Sequence, residues 1–201
     1  MAMVIERIYL DMDGVLCDLL PGIAELYGRL FDPEDWPSGE YDVSVGFGIP
    51  RVALWDHIGK VGGASFWAGL TQAEHYTELV ELARLFAMRP PRVLSSPTSF
   101  PSSYAGKAAW LIERGWQLPD EAVFAAEKWQ LSGPGRVLID DHSDNCADWD
   151  EAGGESILFP TISNELHQIA TGGDALGYVR TELERISGRS FGRRRGQTAP
   201  A

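Results

Sequence analysis

The chain has 201 residues, of which 44% are hydrophobic and 23% charged, proportions typical of a globular protein with one domain and a buried core. Its formal net charge is -12, so we expect no stable binding to nucleic acid, which is itself a polyanion. No apolar run reaches the roughly 18 residues that a membrane-spanning helix needs, and the N-terminus lacks the basic start of a signal peptide. We therefore predict a cytoplasmic protein without a membrane partner.

The first predicted strand, residues 4–10, is a short apolar run that ends at Asp11. Asp13 follows closely, and two neighbouring carboxylates repel each other and are costly to bury without a positive partner. The next segment, residues 20–70, is rich in aromatic residues, prolines and glycines and has no strand pattern. We predict that it forms a small, mainly helical insertion that acts as a cap or lid.

Strand and helix patterns alternate through the rest of the chain. Helical spacing of apolar residues, or Ser and Gly at the two ends, predicts helices within 71–88, 102–115 and 143–154. Continuous apolar runs predict strands at 91–96, 122–126, 136–141 and 156–160. Because such runs are typical of parallel strands covered on both faces, the sequence predicts a doubly wound, Rossmann-like α/β fold with helices on both faces of a parallel sheet.

The domain organisation follows from this pattern. We expect residues 1–19 and 71–188 to form the α/β core domain, and residues 20–70 to form the helical cap inserted after the first strand. The tail at 189–201 carries four arginines and no acidic residue, and its composition predicts disorder.

Polar and charged residues stand where the predicted strands end. They are Asp11, Asp13, Ser95, Ser96, Lys128, Asp140 and Asp141. Because the carboxyl ends of parallel strands meet in one crevice, we expect these side chains to form one site. Carboxylate oxygens bind hard divalent cations, usually Mg²⁺, whereas the lysine and the hydroxyls can hold an anion that the carboxylates would otherwise repel.

These motifs resemble the four motifs of the haloacid dehalogenase (HAD) superfamily, over the part of the chain that forms the predicted sheet. They are DxDGV after the first strand, a strand-terminal Ser, a later Lys and a strand-terminal DD. In detail the chain is most similar to the 5'(3')-deoxyribonucleotidase group, through LDMDGVLCD, VLSSPT followed by GKAAWL, EKWQL, and LIDDHSDN leading to ILFP. That group also carries a helical cap after its first motif.

The resemblance implies a Mg²⁺-dependent phosphatase. Asp11 would be the nucleophile and would form an aspartyl-phosphate that water hydrolyses. Asp13 would protonate the leaving oxygen and later activate the water. The metal ligands would be the Asp11 side chain, the Asp13 backbone carbonyl and one of Asp140 and Asp141, with the other acid acting through water.

The resemblance also implies a set of phosphate-binding residues. Ser95 and Lys128 would hold the transferring phosphoryl oxygens, with Ser96 and Lys107 as further contacts. Gly14 would let a backbone N–H approach the phosphate closely. Each residue also has a structural alternative: a turn before Pro97 for the two serines, an ordinary surface position for Lys128, and a solvated helix face for Lys107.

The resemblance implies a small phosphorylated substrate, a (deoxy)nucleoside 5'- or 3'-monophosphate, because a cap over the crevice excludes polymers. Trp36, Phe47 and Trp55 could stack on the base, although core packing is the commoner fate of such residues. Leu19 stands where the group often has an aromatic residue, and His142 where it often has arginine. The alternatives are another small phosphorylated metabolite, a polynucleotide 3'-phosphate, or a non-catalytic binding module on the same fold.

Overall fold

The structure is a computed structural model that describes residues 3–190. The predicted disordered tail lies outside the described residues from residue 191 onward. None of the helices in the described part is long and apolar enough to cross a membrane.

A five-stranded parallel sheet organises the described residues. Its strands are β1 Arg7–Leu10, β2 Arg92–Ser95, β3 Ala122–Phe124, β4 Arg136–Asp140 and β5 Glu155–Leu158. The strand order is β3-β2-β1-β4-β5, and every neighbouring pair is parallel. The predicted doubly wound α/β fold is therefore confirmed. The order reverses between β1 and β4, which is the position where folds of this kind open a crevice for ligands.

Helices cover the sheet and form the insertion. The α-helices within residues 3–190 are α1 Leu19–Leu26, α2 Val43–Gly46, α3 Arg51–His57, α4 Gly63–Ala68, α5 Tyr76–Phe86, α6 Pro101–Glu113, α7 Ser143–Glu151, α8 His167–Thr171 and α9 Ala175–Ser187. Shorter helical turns occur at Pro33–Asp35, Ile58–Gly62 and Lys128–Leu131. The insertion is helical, as predicted, whereas its boundaries as a separate domain stay a prediction.

Several element boundaries differ from the sequence prediction because apolar residues can be buried without joining a regular element. β1 begins at Arg7 rather than at residue 4, since the carbonyl of the buried Ile5 accepts a hydrogen bond from the N–H of Met88, outside the sheet. α5 begins at Tyr76 rather than at residue 71, because Ala73 N–H donates to the carbonyl of Leu16, in the loop after β1.

Two helices at the C-terminal end of the described chain were not predicted. α9 buries Val179, Leu183 and Ile186 against the core, and their spacing places all three on one helix face. This periodicity is the sequence signal that identifies α9. α8 has no buried residue, so the sequence carries no comparable signal for it.

The insertion is anchored to the core where α4 packs on α6. Gly106 makes this contact possible, because a Cβ atom at this position would lie 2.3 Å from the carbonyl oxygen of Ala64 and 2.5 Å from the Cβ of Trp67. Backbone atoms cannot move aside as a flexible side chain can. The close approach of α4 to α6 therefore requires glycine here.

We expect the Gly106→Ala substitution to destabilise the protein by about 1–3 kcal/mol, since the added methyl group must push α4 away from α6. Urea denaturation followed by circular dichroism measures the change. Gly177→Ala in α9 is the matched control: the atoms nearest to its would-be Cβ belong to the exposed carboxylate of Asp174, which can rotate away, so alanine should be neutral or stabilising by up to about 1 kcal/mol. Equal stabilities of the two variants would contradict the proposed role of Gly106.

Candidate active site

Three buried carboxylates meet at the carboxyl ends of β1 and β4. Asp11, Asp140 and Asp141 each offer an oxygen, and these oxygens all lie within 4.8 Å of one another. Asp11 follows β1 directly and Asp140 ends β4, so the parallel pairing of the two neighbouring strands brings the acids together. Such a group of oxygen donors could hold a hard divalent cation.

Lys128 lies between two of these acids. It begins the helical turn after β3, and its Nζ donates hydrogen bonds to Asp11 Oδ1 at 2.5 Å and to Asp140 Oδ2 at 2.6 Å. Its side chain is only 2% exposed, so Lys128 is not an ordinary surface lysine. Burial lowers the pKa of its ammonium group, but the charges of Asp11 and Asp140 outweigh that effect and raise the pKa above its ordinary value.

One lysine does not balance the negative charge of the three acids. Burial, together with the charges of Asp140 and Asp13, raises the pKa of Asp11 to about 7, against the opposing effect of Lys128. Burial also raises the pKa of Asp141 well above its ordinary value, and the neighbouring Asp11 and Asp140 add to this shift. A divalent cation among these oxygens would favour their ionised forms. The donor set and its excess of negative charge therefore fit a metal ion.

Lys107 on α6 is fully buried and does not lie on a solvated helix face. Its Nζ contacts a carboxylate oxygen of Asp13 and donates to Ser95 Oγ at 2.8 Å and to the Ser96 carbonyl at 3.2 Å. The ammonium also lies 4.7 Å from the ring centre of Trp67 in α4. These contacts make Lys107 a partner of Asp13 and β2, and its predicted contact with phosphate stays a prediction.

The two serines differ in their surroundings. Ser95 ends β2, is fully buried, and its hydroxyl accepts the hydrogen bond from Lys107. Ser96 lines the cleft described below, and its hydroxyl donates to the carbonyl of Ala125 at 3.0 Å. Only Ser96 therefore lies at the cleft surface, and a phosphate contact from either serine stays a prediction.

The surroundings of Gly14 give a structural reason why glycine stands at this position. Its N–H donates to the carbonyl of Cys17 at 2.9 Å, so this group already has a partner within the protein. Its φ of +80° is in the left-handed region, and a Cβ atom would lie 2.2 Å from Asp141 Oδ2. The close approach of Asp141 is therefore one reason for glycine here, and the phosphate contact that the resemblance implies stays a prediction.

The Gly14→Ala substitution should displace the Asp141 carboxylate and reduce the phosphatase activity that the resemblance implies at least about tenfold, as expected when a buried ligand is misplaced. Gly28→Ala is the matched control: Gly28 also has a positive φ, of +64°, but nothing lies within 4 Å of its would-be Cβ. Both variants carry the backbone strain, and only Gly14→Ala carries the steric conflict. Similar kcat/KM values for the two variants would show that strain alone explains the effect.

A cleft of about 1000 Å³ opens over the acids. Asp11, Asp13, Leu19, Lys128 and Asp141 line its core side, and the insertion contributes Phe31, Tyr41, Arg51 and Trp55. Of the three aromatic residues predicted to contact substrate, Trp55 lines the cleft. Trp36 and Phe47 do not line this cleft: Trp36 is 7% exposed and packs edge-on against Phe47 at 5.2 Å between ring centres. The contact of these two residues with substrate stays a prediction.

Sequence reasoning missed two residues that hold the acids. Tyr41, in the insertion, donates from its hydroxyl to Asp141 Oδ1 at 3.4 Å, and its ring packs against that of His142 at a tilt of 39°, with 4.2 Å between ring centres. Asn145 on α7 donates from Nδ2 to both carboxylate oxygens of Asp140, at 3.0 and 3.2 Å. Asn145 lies in the quoted motif stretch LIDDHSDN, whereas no pattern in the sequence signals the long-range contact of Tyr41.

Comparisons with known proteins identify the family and the fold of this chain. The family described as "5' nucleotidase, deoxy (Pyrimidine), cytosolic type C protein" matches residues 3–171. A predicted phosphatase from Clostridium acetobutylicum is 10% identical, with 91% of this chain and 100% of that chain covered and a TM-score of 0.56. A HAD family hydrolase from Deinococcus radiodurans R1, with bound phosphate and sodium, is 15% identical, with 91% and 96% covered and a TM-score of 0.52.

A HAD family enzyme from Bacteroides thetaiotaomicron, solved with magnesium and inorganic phosphate, is 14% identical, with 82% of this chain and 98% of that chain covered and a TM-score of 0.44. No curated protein sequence matches the chain. At these identities, the Clostridium and Deinococcus structures establish the shared fold.

Proposed function

Because this chain belongs to the 5' nucleotidase, deoxy (Pyrimidine), cytosolic type C family, we propose that it hydrolyses the phosphomonoester of a (deoxy)nucleoside 5'- or 3'-monophosphate to nucleoside and phosphate. The family places the chain among the phosphoric monoester hydrolases, and the predicted resemblance to HAD phosphatases near the deoxyribonucleotidases is confirmed. The observation that carries the proposal is the buried group of Asp11, Asp140 and Asp141 with Lys128 at the floor of the cleft.

We assign Mg²⁺ to this group, because hard cations prefer carboxylate oxygens and because Lys128 alone does not balance the negative charge of the three acids. Asp11, one of Asp140 and Asp141, and the backbone carbonyl of Asp13 would hold the ion. Bound there, Mg²⁺ would neutralise negative charge on the phosphoryl oxygens.

The protein's own residues would carry out the reaction in two steps. In the first, an Asp11 carboxylate oxygen bonds to phosphorus while the ester P–O bond breaks, and Asp13 gives its proton to the departing alkoxide. In the second, Asp13 takes a proton from water, whose oxygen bonds to phosphorus as the bond to Asp11 breaks. Lys128, 2.5 Å from Asp11 Oδ1, would balance the charge beside the nucleophile, and Lys107 would hold Asp13 in place.

The cleft supports a small substrate. The insertion forms one wall, where Trp55 offers an aromatic face and Arg51 a cation, so a base and a sugar could lie between this wall and the acids. Leu19 lines the cleft without an aromatic ring, which leaves Trp55, Tyr41 and Phe31 as the aromatic residues from the insertion. The acidic excess of the chain disfavours a polynucleotide.

Phosphate release from a substrate panel tests the proposal. The panel contains 5'- and 3'-(deoxy)nucleoside monophosphates, sugar phosphates, a 3'-phosphorylated oligonucleotide and p-nitrophenyl phosphate. We expect the highest kcat/KM for a nucleoside monophosphate. A higher value for a sugar phosphate or for the oligonucleotide would favour the alternative substrates, and no release with any divalent cation would favour a non-catalytic binding module.

Removing the metal should abolish hydrolysis and destabilise the fold, because the buried carboxylates then repel one another. In EDTA we expect no phosphate release and a lower melting temperature. Mg²⁺ at 100 times its dissociation constant should restore about 2.7 kcal/mol of stability. Potassium chloride at equal ionic strength is the control for general screening. Full activity in EDTA would contradict the assignment of a metal.

A further inference from the structure

Asn164 lies in the loop after β5 and satisfies two backbone groups at the end of the sheet. It is 3% exposed, and its Nδ2 donates to the carbonyl of Asp141 at 2.9 Å and to the carbonyl of Phe159 at 2.8 Å. Phe159 N–H in turn donates to the carbonyl of Asp140 at 2.8 Å. One amide group therefore closes the β4–β5 edge where the regular ladder stops, beside the predicted metal ligands.

The opposite end of the same amide shapes the loop that carries it. Asn164 Oδ1 accepts hydrogen bonds from the N–H groups of Leu166 at 3.1 Å and Thr161 at 3.4 Å. An amide carries hydrogen-bond donors on its nitrogen and an acceptor on its oxygen. An ionised carboxylate has no donor, and a hydroxyl has a single donor on the same atom that accepts. Asn164 thus fixes its loop and the end of β4 together.

The loop of Asn164 also contacts the insertion. The N–H of Gly39 donates to the carbonyl of Ile162 at 2.9 Å, and a Cβ atom at Gly39 would lie 3.5 Å from the carbonyl oxygen of Asn164. Two residues further along, the Tyr41 hydroxyl donates to Asp141 Oδ1 at 3.4 Å. Asn164 therefore holds the backbone of Asp141, and Tyr41 holds its carboxylate. Tyr41 belongs to the segment that contacts the loop of Asn164 through Gly39.

We propose that Asn164 is a positioning residue for the metal group: through the Asp141 carbonyl it sets the direction in which the Asp141 carboxylate presents its oxygens to a divalent cation. This inference rests on the proposed function, since it assumes that the acids hold a metal. Groups that orient metal ligands typically contribute a factor of 10 to 100 to metal affinity. Asn164 itself does not line the cleft, so its effect on the cation would act through Asp141.

The test compares Mg²⁺ binding to the metal-free wild type and to the Asn164→Ala variant by isothermal titration calorimetry. We expect Asn164→Ala to raise the dissociation constant for Mg²⁺ at least about tenfold. Ser132→Ala is the control for general destabilisation: it also removes a hydrogen bond to a backbone carbonyl, that of Trp149 at 2.5 Å, and Ser132 does not line the cleft. Its affinity for Mg²⁺ should stay within about twofold of the wild type.

A second variant keeps the test decisive if the alanine protein does not fold. Asn164→Asp retains an acceptor oxygen for the N–H of Leu166 and loses the donors to the carbonyls of Asp141 and Phe159, so it should also bind Mg²⁺ at least about tenfold more weakly. A folded variant with wild-type Mg²⁺ affinity would overturn the role of Asn164, as would a wild type that binds no Mg²⁺. A wild type that binds Mg²⁺ but hydrolyses no phosphomonoester would overturn the proposed function alone.

Discussion

The Asp11→Asn variant should fold and release no measurable phosphate, a loss of at least about a thousandfold in kcat. An amide has nearly the same size as the carboxylate but is not a nucleophile toward phosphorus at neutral pH. Lys128 keeps its second partner, Asp140, at 2.6 Å, so no buried charge is left alone. The fold should therefore survive the change while the first step of the reaction does not.

Steady-state phosphate release and thermal denaturation of the same preparation check both halves of this expectation. Asp120→Asn is the control for loss of one negative charge, because Asp120 is exposed and precedes β3, at the edge of the sheet opposite the cleft. It should leave kcat and KM unchanged. Retention of substantial activity by Asp11→Asn would remove Asp11 from the role of nucleophile.

The Lys128→Met variant should lose both stability and activity. The ammonium group of Lys128 is the shared partner of two buried carboxylates, and removing one member of a buried ion pair typically costs about 3–5 kcal/mol. Methionine keeps most of the volume, so the loss reports the missing charge and not a cavity. Adding Mg²⁺ should recover part of the stability, because the cation supplies positive charge to the same acids.

Lys60→Met provides the matched comparison. Lys60 forms an ion pair with Asp56 at 2.6 Å, as short as the buried pairs of Lys128, but its side chain is 65% exposed. Solvent screens such a pair, so urea denaturation should show a loss of only about 0.3–0.5 kcal/mol. A Lys128→Met protein as stable as Lys60→Met would contradict the view that Lys128 balances the buried acids.

The sheet and the positions of its polar residues could be predicted because both depend on local sequence. Continuous apolar runs identify strands that are covered on both faces, and the residue types that follow them identify what lies at the carboxyl edge. Asp11 and Asp140 come together for this reason, because β1 and β4 are neighbouring parallel strands that end at the same edge of the sheet. Lys128 reaches both acids from the helical turn that follows β3 at the same edge.

The parts that could not be predicted depend on tertiary packing. Trp36 and Trp55 are both tryptophans in the insertion, and only the folded arrangement buries the first against Phe47 and turns the second to the cleft. The partners of Asp141 come from far along the chain, Tyr41 from the insertion and Asn164 from the loop after β5. Neither Tyr41 nor Asn164 belongs to one of the motif stretches, so no pattern in the single sequence indicates these contacts.

The contact between α4 and α6 limits how this enzyme can be recombined with its relatives. Gly106, which admits α4, is the neighbour of Lys107, which holds Asp13, and Trp67 of α4 touches both positions. The last helix of the insertion, α4, therefore packs directly against the residues that hold Asp13. A chimera that carries another cap should therefore have its second junction before Gly63, so that α4 stays with its own α6. A junction after Ala68 would replace α4, and with it the Trp67 ring against which Lys107 lies.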